Sequence, residues 1–176
     1  MEFVCGQRAV ATARHDYTTL TEAAALFSSH IWDVPQQVRK TLEEVRSANK
    51  TSEHLLEEVA ELQAARLLSE TTPTNGRKVI ARVYRDRDLA FIRLLGQKLT
   101  RLELNVVALL GAVSGQASLV FAQSKGMPFD MGALLKETLA KLGGRGGGSK
   151  DMAQGGAPHA EGLEPALDEL AQKLRD

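Results

Sequence analysis

The chain has 176 residues, 43% of them hydrophobic and 25% charged, with a formal net charge of zero. That length suits one domain or two small ones, and the composition is that of an ordinary globular protein. A single cysteine, Cys5, excludes an internal disulfide framework, no apolar run approaches the ~18 residues of a membrane span, and the first residues lack the charged-then-apolar pattern of a signal peptide, so a cytoplasmic protein is expected.

Phe3-Val4 is a short apolar pair that could end a strand, with nothing before it to pair with. Thr19-Leu-Thr-Glu22 has the spacing of a capping box, which predicts a helix through Leu20, Ala23, Ala24, Phe27 and Ile31. Asp33-Val-Pro35-Gln36 is a second start signal, because proline is tolerated in the first helical turn. From Gln36 to about Leu68 there is no Gly or Pro, which predicts one long helix. Leu42 and Leu56 at a positions, with Val38, Val45 and Val59 at d, form a heptad seam that Leu55 and Leu62 widen. Asn49 interrupts it, as a register-setting polar residue does, along with Ser52, Gln63 and Arg66. The expectation is an antiparallel helical hairpin or coiled-coil stalk that also makes a homodimer through these residues. The alternative is a helix packed on its own chain.

Thr71-Thr-Pro-Thr-Asn-Gly76 has the composition of a linker. It coincides with a change of charge. Residues 1–76 carry 7 Lys/Arg and 11 Asp/Glu, residues 77–150 carry 13 and 5, and residues 151–176 carry 2 and 6. A basic middle between acidic ends is the pattern of a polyanion site on a neutral protein. Beyond the linker the hydrophobic period changes. Lys78–Tyr84 reads as a strand, Asp88 caps a helix bearing Leu89, Ile92, Leu95 and Leu99, and the apolar run Asn105–Leu110 reads as a strand covered on both faces. Ser114-Gly115 turns the chain into a partner strand, Ala117–Ala122. Asp130 begins a helix that Gly143 ends, a glycine-rich loop follows, and Leu163–Leu174 is a terminal helix. The order β-α-β-β-α-loop-α makes a small mixed-sheet α/β lobe over 77–176.

The run Gly143–Gly148, broken only by Arg145, lets backbone approach a ligand closely and is expected to form a concave nest of N–H groups. Candidate nucleic-acid contacts are Gly144, Arg145, Gly146, Gly147, Gly148, Ser149, Lys150, Asp151 and Gln154, with Arg145 and Lys150 giving charge and Gln154 a neutral amide. A P-loop is excluded, since Gly148 is followed by Ser-Lys and the run follows a helix. A dinucleotide fingerprint lacks its last glycine.

With Asp151, Ala153, Gln154, Gly155 and Gly156 after that run, the segment 143–156 resembles the signature of the DHH-associated domain, type one, in the form found at the C-terminus of alanyl-tRNA synthetases and free-standing alanyl-tRNA editing proteins. The similarity extends back through 131–142 and 105–122, and Met1–Ala9 resembles the segment just after the editing site of those proteins. The resemblance implies an α/β lobe on a helical stalk, a dimer through the stalk, and contact between lobe and tRNA, with tRNA-Ala as the expected partner. On this reading 1–18 is the remnant of an editing domain, 19–70 the dimerisation segment and 77–176 the RNA-binding lobe. The nuclease branch of the family places a histidine after its glycine run, where this chain has Ser149-Lys150, and no Asp-His-His motif is present. Editing relatives use H-x3-H and C-x3-H metal ligands. Here His15, His30, His54 and His159 have no such spacing, and Cys5 is followed at that distance by Ala9. No catalytic residue, metal or cofactor is therefore expected, and the chain reads as part of a longer protein whose catalytic domain it lacks. A phosphoesterase acting on short oligonucleotides, and a pure oligomerisation domain, are the alternatives.

Overall fold

A computed structural model describes residues 6–176. The expected strand end at Phe3-Val4, and Cys5, lie outside the described residues. The chain divides into two compact units, one up to residue 53 and one from His54 to Asp176.

The first unit is helical. Helix α1 spans Gln7–Leu26, so it begins well before the capping-box signal. Thr19 is no cap: its hydroxyl donates to the His15 carbonyl at 3.0 Å, as Thr18 and Thr21 do to Arg14 and Tyr17. Residues 7–18 contain no Gly or Pro and include three Ala and two Arg, and propensity of this kind carries a helix through an internal start signal. Of the segment 1–18, residues 7–18 are helical and belong to α1. Ser28, in the left-handed region at φ 49°, closes the helix, and a 3-10 turn at Ile31–Asp33 leads into helix α2, Val34–Glu70, with Pro35 in its first turn. Ala24 is the one buried residue of α1, while Val10, Tyr17 and Leu20 are exposed. Two consecutive helices, α1 and α2, thus form the expected N-terminal helical segment ahead of the mixed sheet.

The second unit is a three-layer α/β/α sandwich that the last turns of α2 join. Ala60, Ala64, Leu67 and Leu68 are buried against the sheet, so the packing boundary falls inside α2 and ahead of the segment 71–76. That segment is a tight turn. Asn75 and Gly76 take φ of 51° and 75°, as an Asn-Gly hairpin turn requires, and Thr74 bridges to Arg77. The Asn75 amide also donates to the Arg175 carbonyl at 2.7 Å, tying the turn to the end of the chain.

Strand β1 (Lys78–Tyr84) runs parallel to β2 (Val106–Ser114), joined by α3 (Leu89–Leu102). Asp88 accepts from the Phe91 N–H at 2.9 Å and caps α3 as expected. Gly115, at φ 83°, turns β2 into the antiparallel β3 (Gln116–Gln123). Helix α4 (Met131–Lys141) starts at Asp130, whose carboxylate accepts from the Ala133 N–H at 2.9 Å, and ends at Gly143 with φ 65°.

The glycine-rich stretch differs from its expectation. It is no loop but a hairpin of β4 (Arg145–Gly148) and β5 (Met152–Ala157), followed by α5 (Leu163–Arg175). The sheet order is β1-β2-β3-β5-β4, so β4 is an open edge. Successive residues of β2 point to opposite faces. Val106, Ala108, Leu110 and Ala112 meet α2 and α3, while Val107 and Leu109 meet α4 and α5, which is why the run is apolar at every position. Leu135, Leu139, Leu163 and Leu167 complete the second core.

Candidate nucleic-acid interface

The β4–β5 hairpin is the part of the lobe that brings the expected contact residues together. Arg145 pairs with Gly156, Gly147 with Gln154 and Gly148 with Ala153. Extended backbone replaces the expected concave nest, because the glycines meet a different need. A Cβ added at Gly146 would stand 2.6 Å from Leu139 Cδ1 on α4 and 2.6 Å from Gly155 Cα on the partner strand. At Gly144 it would stand 2.8 Å from Leu139 Cδ2. The run is glycine so that α4 can lie directly on two closely spaced strands. Gly147 is different: a Cβ there would meet nothing nearer than Lys136 Cε at 3.7 Å.

The hairpin turn is fixed by polar bonds. The Ser149 N–H donates to the Met152 carbonyl at 2.8 Å, and the Ser149 hydroxyl accepts from the Met152 N–H at 3.2 Å. Met131 N–H, at the start of α4, donates to the Lys150 carbonyl at 3.0 Å. Gln123, only 3% exposed, holds the turn from below. Its amide lies 2.8 Å from the Phe129 carbonyl, 3.1 Å from that of Lys150 and 3.3 Å from Asp151 Oδ1. Sequence reasoning missed Gln123, although a lone Gln closing an apolar strand was a usable signal. Ser149 and Asp151 are thus engaged in holding the turn, while Lys150 in the turn, Arg145 on β4 and Gln154 on β5 stand exposed.

A minority of the basic residues of 77–150 are neutralised by ion pairs. Lys78 pairs with Glu103, Lys98 with Glu61, Arg85 with Glu164 and Lys141 with Glu169. Among the described residues Arg82, Arg93, Arg101, Lys125, Lys136, Arg145 and Lys150 form no ion pair. A groove of about 420 Å³ runs beside β1, at the other edge of the sheet, but Glu70 and Asp168 line it together with Arg82 and Arg175, a mixed charge unsuited to a polyanion. Among the described residues no three His, Cys, Asp or Glu side chains gather as metal ligands, and no helix is long and apolar enough to cross a membrane.

The expected dimer residues lie along α2. Val38, Leu42, Val45, Leu55, Leu56 and Leu62 are all exposed, Leu42 by 52% and Leu62 by 73%, and Asn49 is exposed among them. Val59 departs from this set: it is half-buried against the core formed with α3.

The DHHA1 domain family matches residues 75–176. An alanine–tRNA ligase of Methanothrix thermoacetophila is 32% identical over 172 residues, covering 96% of this chain and 19% of the ligase. One from Desulfosudis oleivorans is 34% identical over 178 residues, covering 99% and 20%. The chain therefore spans about a fifth of the length of these relatives. Among solved structures, the C-Ala domain from Aquifex aeolicus alanyl-tRNA synthetase superposes with a TM-score of 0.55 at 20% identity, covering 61% of this chain and 99% of that one, a likeness of fold.

Proposed function

Because the chain belongs to the DHHA1 domain family, we propose that it is a tRNA-binding and dimerisation module of an alanyl-tRNA synthetase or alanyl-tRNA editing protein, working in the cytoplasm with tRNA-Ala as its first candidate partner. The observation that carries the reading is the β4–β5 hairpin, where Arg145 on β4 and Lys150 in the turn stand exposed and unpaired among the described residues, the turn being held from beneath by Gln123. A fixed platform loses little conformational entropy on binding, so its cations are pre-positioned for phosphate. Gln154 adds an amide able to bond a base edge or a ribose hydroxyl. Binding of this kind is dominated by phosphate and weakens steeply as salt rises.

The second part of the proposal, a homodimer, is supported by the row Val38, Leu42, Val45 and Leu56, which a single chain leaves exposed. Apolar residues at heptad spacing over several helical turns are a surface that a second helix buries.

The test is anisotropy of labelled tRNA-Ala, a second tRNA and a plain RNA duplex, each at two salt concentrations. The proposal expects salt-sensitive binding that prefers tRNA and falls in the R145A/K150A variant with the fold intact. Unchanged affinity in that variant refutes the assignment of the hairpin.

A further inference from the structure

The sheet ends at β1 on the side away from the glycine-rich hairpin, and this edge is seven residues long with no strand beyond it among the described residues. The Lys78 N–H donates to the Asn105 carbonyl at 2.9 Å, so Lys78, Ile80, Arg82 and Tyr84 turn their backbone groups toward β2. Val79, Ala81 and Val83 therefore turn theirs outward. The Val79 carbonyl shows what this side accepts, because Arg175 at the end of α5 donates to it at 3.2 Å. The N–H and C=O groups of Ala81 and Val83 have no partner among the described residues. A long edge with open ladder groups is a template for another strand.

The edge lies in a slot. The groove of about 420 Å³ beside β1 has Glu70 and Thr72 on one side and Asp168 and Arg175 of α5 on the other. It continues along Ala81 and Arg82 into a second hollow of about 230 Å³, walled by Glu164 and Leu167 of α5. Asp168 lines both hollows, is exposed, and forms no ion pair among the described residues. Arg82 is exposed and unpaired in the same sense. The two charges serve opposite faces, since Val79, Ala81 and Val83 pack toward α5 and Arg82 alternates with them. A strand laid along β1 inherits that alternation. Its residue opposite Ala81 faces α5 and meets the Asp168 carboxylate, and its residue opposite Arg82 faces the other way and meets the guanidinium.

We infer that the β1 edge receives an extended segment of another polypeptide, added antiparallel to β1, with a basic side chain opposite Ala81 and an acidic one opposite Arg82. Ala81 and Val83 each exchange two backbone hydrogen bonds with it, which supply affinity, while Asp168 and Arg82 supply selectivity. Antiparallel pairing is the more stable per residue. Charge argues for a foreign strand over a second copy of β1. An antiparallel β1–β1 pair about Ala81 makes the two Arg82 side chains diagonal neighbours on one face and gathers both Asp168 carboxylates about one two-fold axis on the other. The site stands apart from the RNA-binding reading, at the opposite edge of the sheet.

The experiment titrates the isotope-labelled full chain with the blocked peptide acetyl-Thr-Val-Glu-Lys-Thr-Val-amide and follows backbone amide resonances. In the antiparallel register its first Val, Glu and Lys lie opposite Val83, Arg82 and Ala81. Two N-methylated forms separate backbone pairing from side-chain contact. One carries methyls on the first Val and the Lys, whose nitrogens face β1, and the other on the Glu and the second Thr, whose nitrogens face away. The Ala81 and Val83 amides are expected to shift with the parent peptide, the inward-methylated form to bind about ten-fold or more weakly, and the outward-methylated form to bind as the parent does. D168K weakens the parent peptide and favours the peptide with Glu in place of Lys; its thermal melt, matching the wild type, shows that binding is read. Absence of shifts at Ala81 and Val83 with millimolar peptide overturns the site, and equal weakening by both methylated forms overturns strand addition. Wild-type preference in D168K overturns the assigned register. Protection of these two amides that grows with chain concentration in the absence of peptide gives the edge to a second copy and overturns the foreign strand.

Discussion

Gly146→Ala compared with Gly147→Ala separates a glycine run that serves packing from one that serves flexibility. The added methyl at Gly146 comes within 2.6 Å of Leu139 Cδ1 and of Gly155 Cα. Leucine can turn away, but strand backbone cannot move without opening the β4–β5 ladder. Overpacking of this sort costs about 1–3 kcal/mol. A glycine-to-alanine change returns about 0.4–1 kcal/mol by restricting the unfolded chain. The balance is a loss of about 1–2 kcal/mol for Gly146→Ala, at about 4 °C per kcal/mol for a unit of this size. At Gly147 the methyl makes only an ordinary van der Waals contact, with Lys136 Cε at 3.7 Å, so the same change is neutral or slightly stabilising. Leu139→Ala alone costs about 2–5 kcal/mol. Combined with Gly146→Ala it costs less than the sum, because one of the two collisions disappears. Scanning calorimetry of the full chain reads the lobe's transition for each variant. Equal melting temperatures for the Gly146 and Gly147 variants, or a destabilised Gly147 variant, refute the close-approach account.

Asp130→Ala removes the cap of α4 and is expected to cost about 1 kcal/mol, read by urea unfolding. Gln123→Leu leaves the Lys150 and Phe129 carbonyls without their shared donor, so hydrogen exchange at 149–151 should accelerate before global stability falls; unchanged protection there contradicts the pinning role. Burial raises the Tyr84 phenol above its ordinary value, its ring packed edge-on to Phe91 at 6.1 Å. A raised folded-state value means that the stability it carries is complete below the ordinary tyrosine range and is lost as pH climbs through the folded-state value, which an ultraviolet titration of a Tyr17→Phe variant detects. Leu42→Asp with Leu56→Asp should convert a dimer to a monomer in sedimentation equilibrium, and a wild-type chain that sediments as a monomer contradicts the dimer proposal.

The strand and helix order of the lobe was legible wherever one local signal agreed with burial. Lys78–Tyr84 is β1 to the residue, Asp88 and Asp130 cap the helices they were expected to cap, and the run at 105–110 is a doubly covered strand. The glycine-rich hairpin was not legible, because strand residues without side chains show no alternation of apolar and polar positions. What makes 145–148 a strand is Leu139 above it and β5 beside it, a tertiary cause. Thr19 misled because a capping pattern inside an Ala-rich stretch is silent once the helix is already propagating.

The most direct test of the central claim is the affinity of the full chain for tRNA-Ala as a function of salt, measured beside R145A/K150A. The account predicts a negative slope of log affinity against log salt that becomes shallower by about one to two in the variant, with weaker binding at every salt. A wild-type complex that ignores salt, or a variant with the same slope and affinity as the wild type, contradicts it.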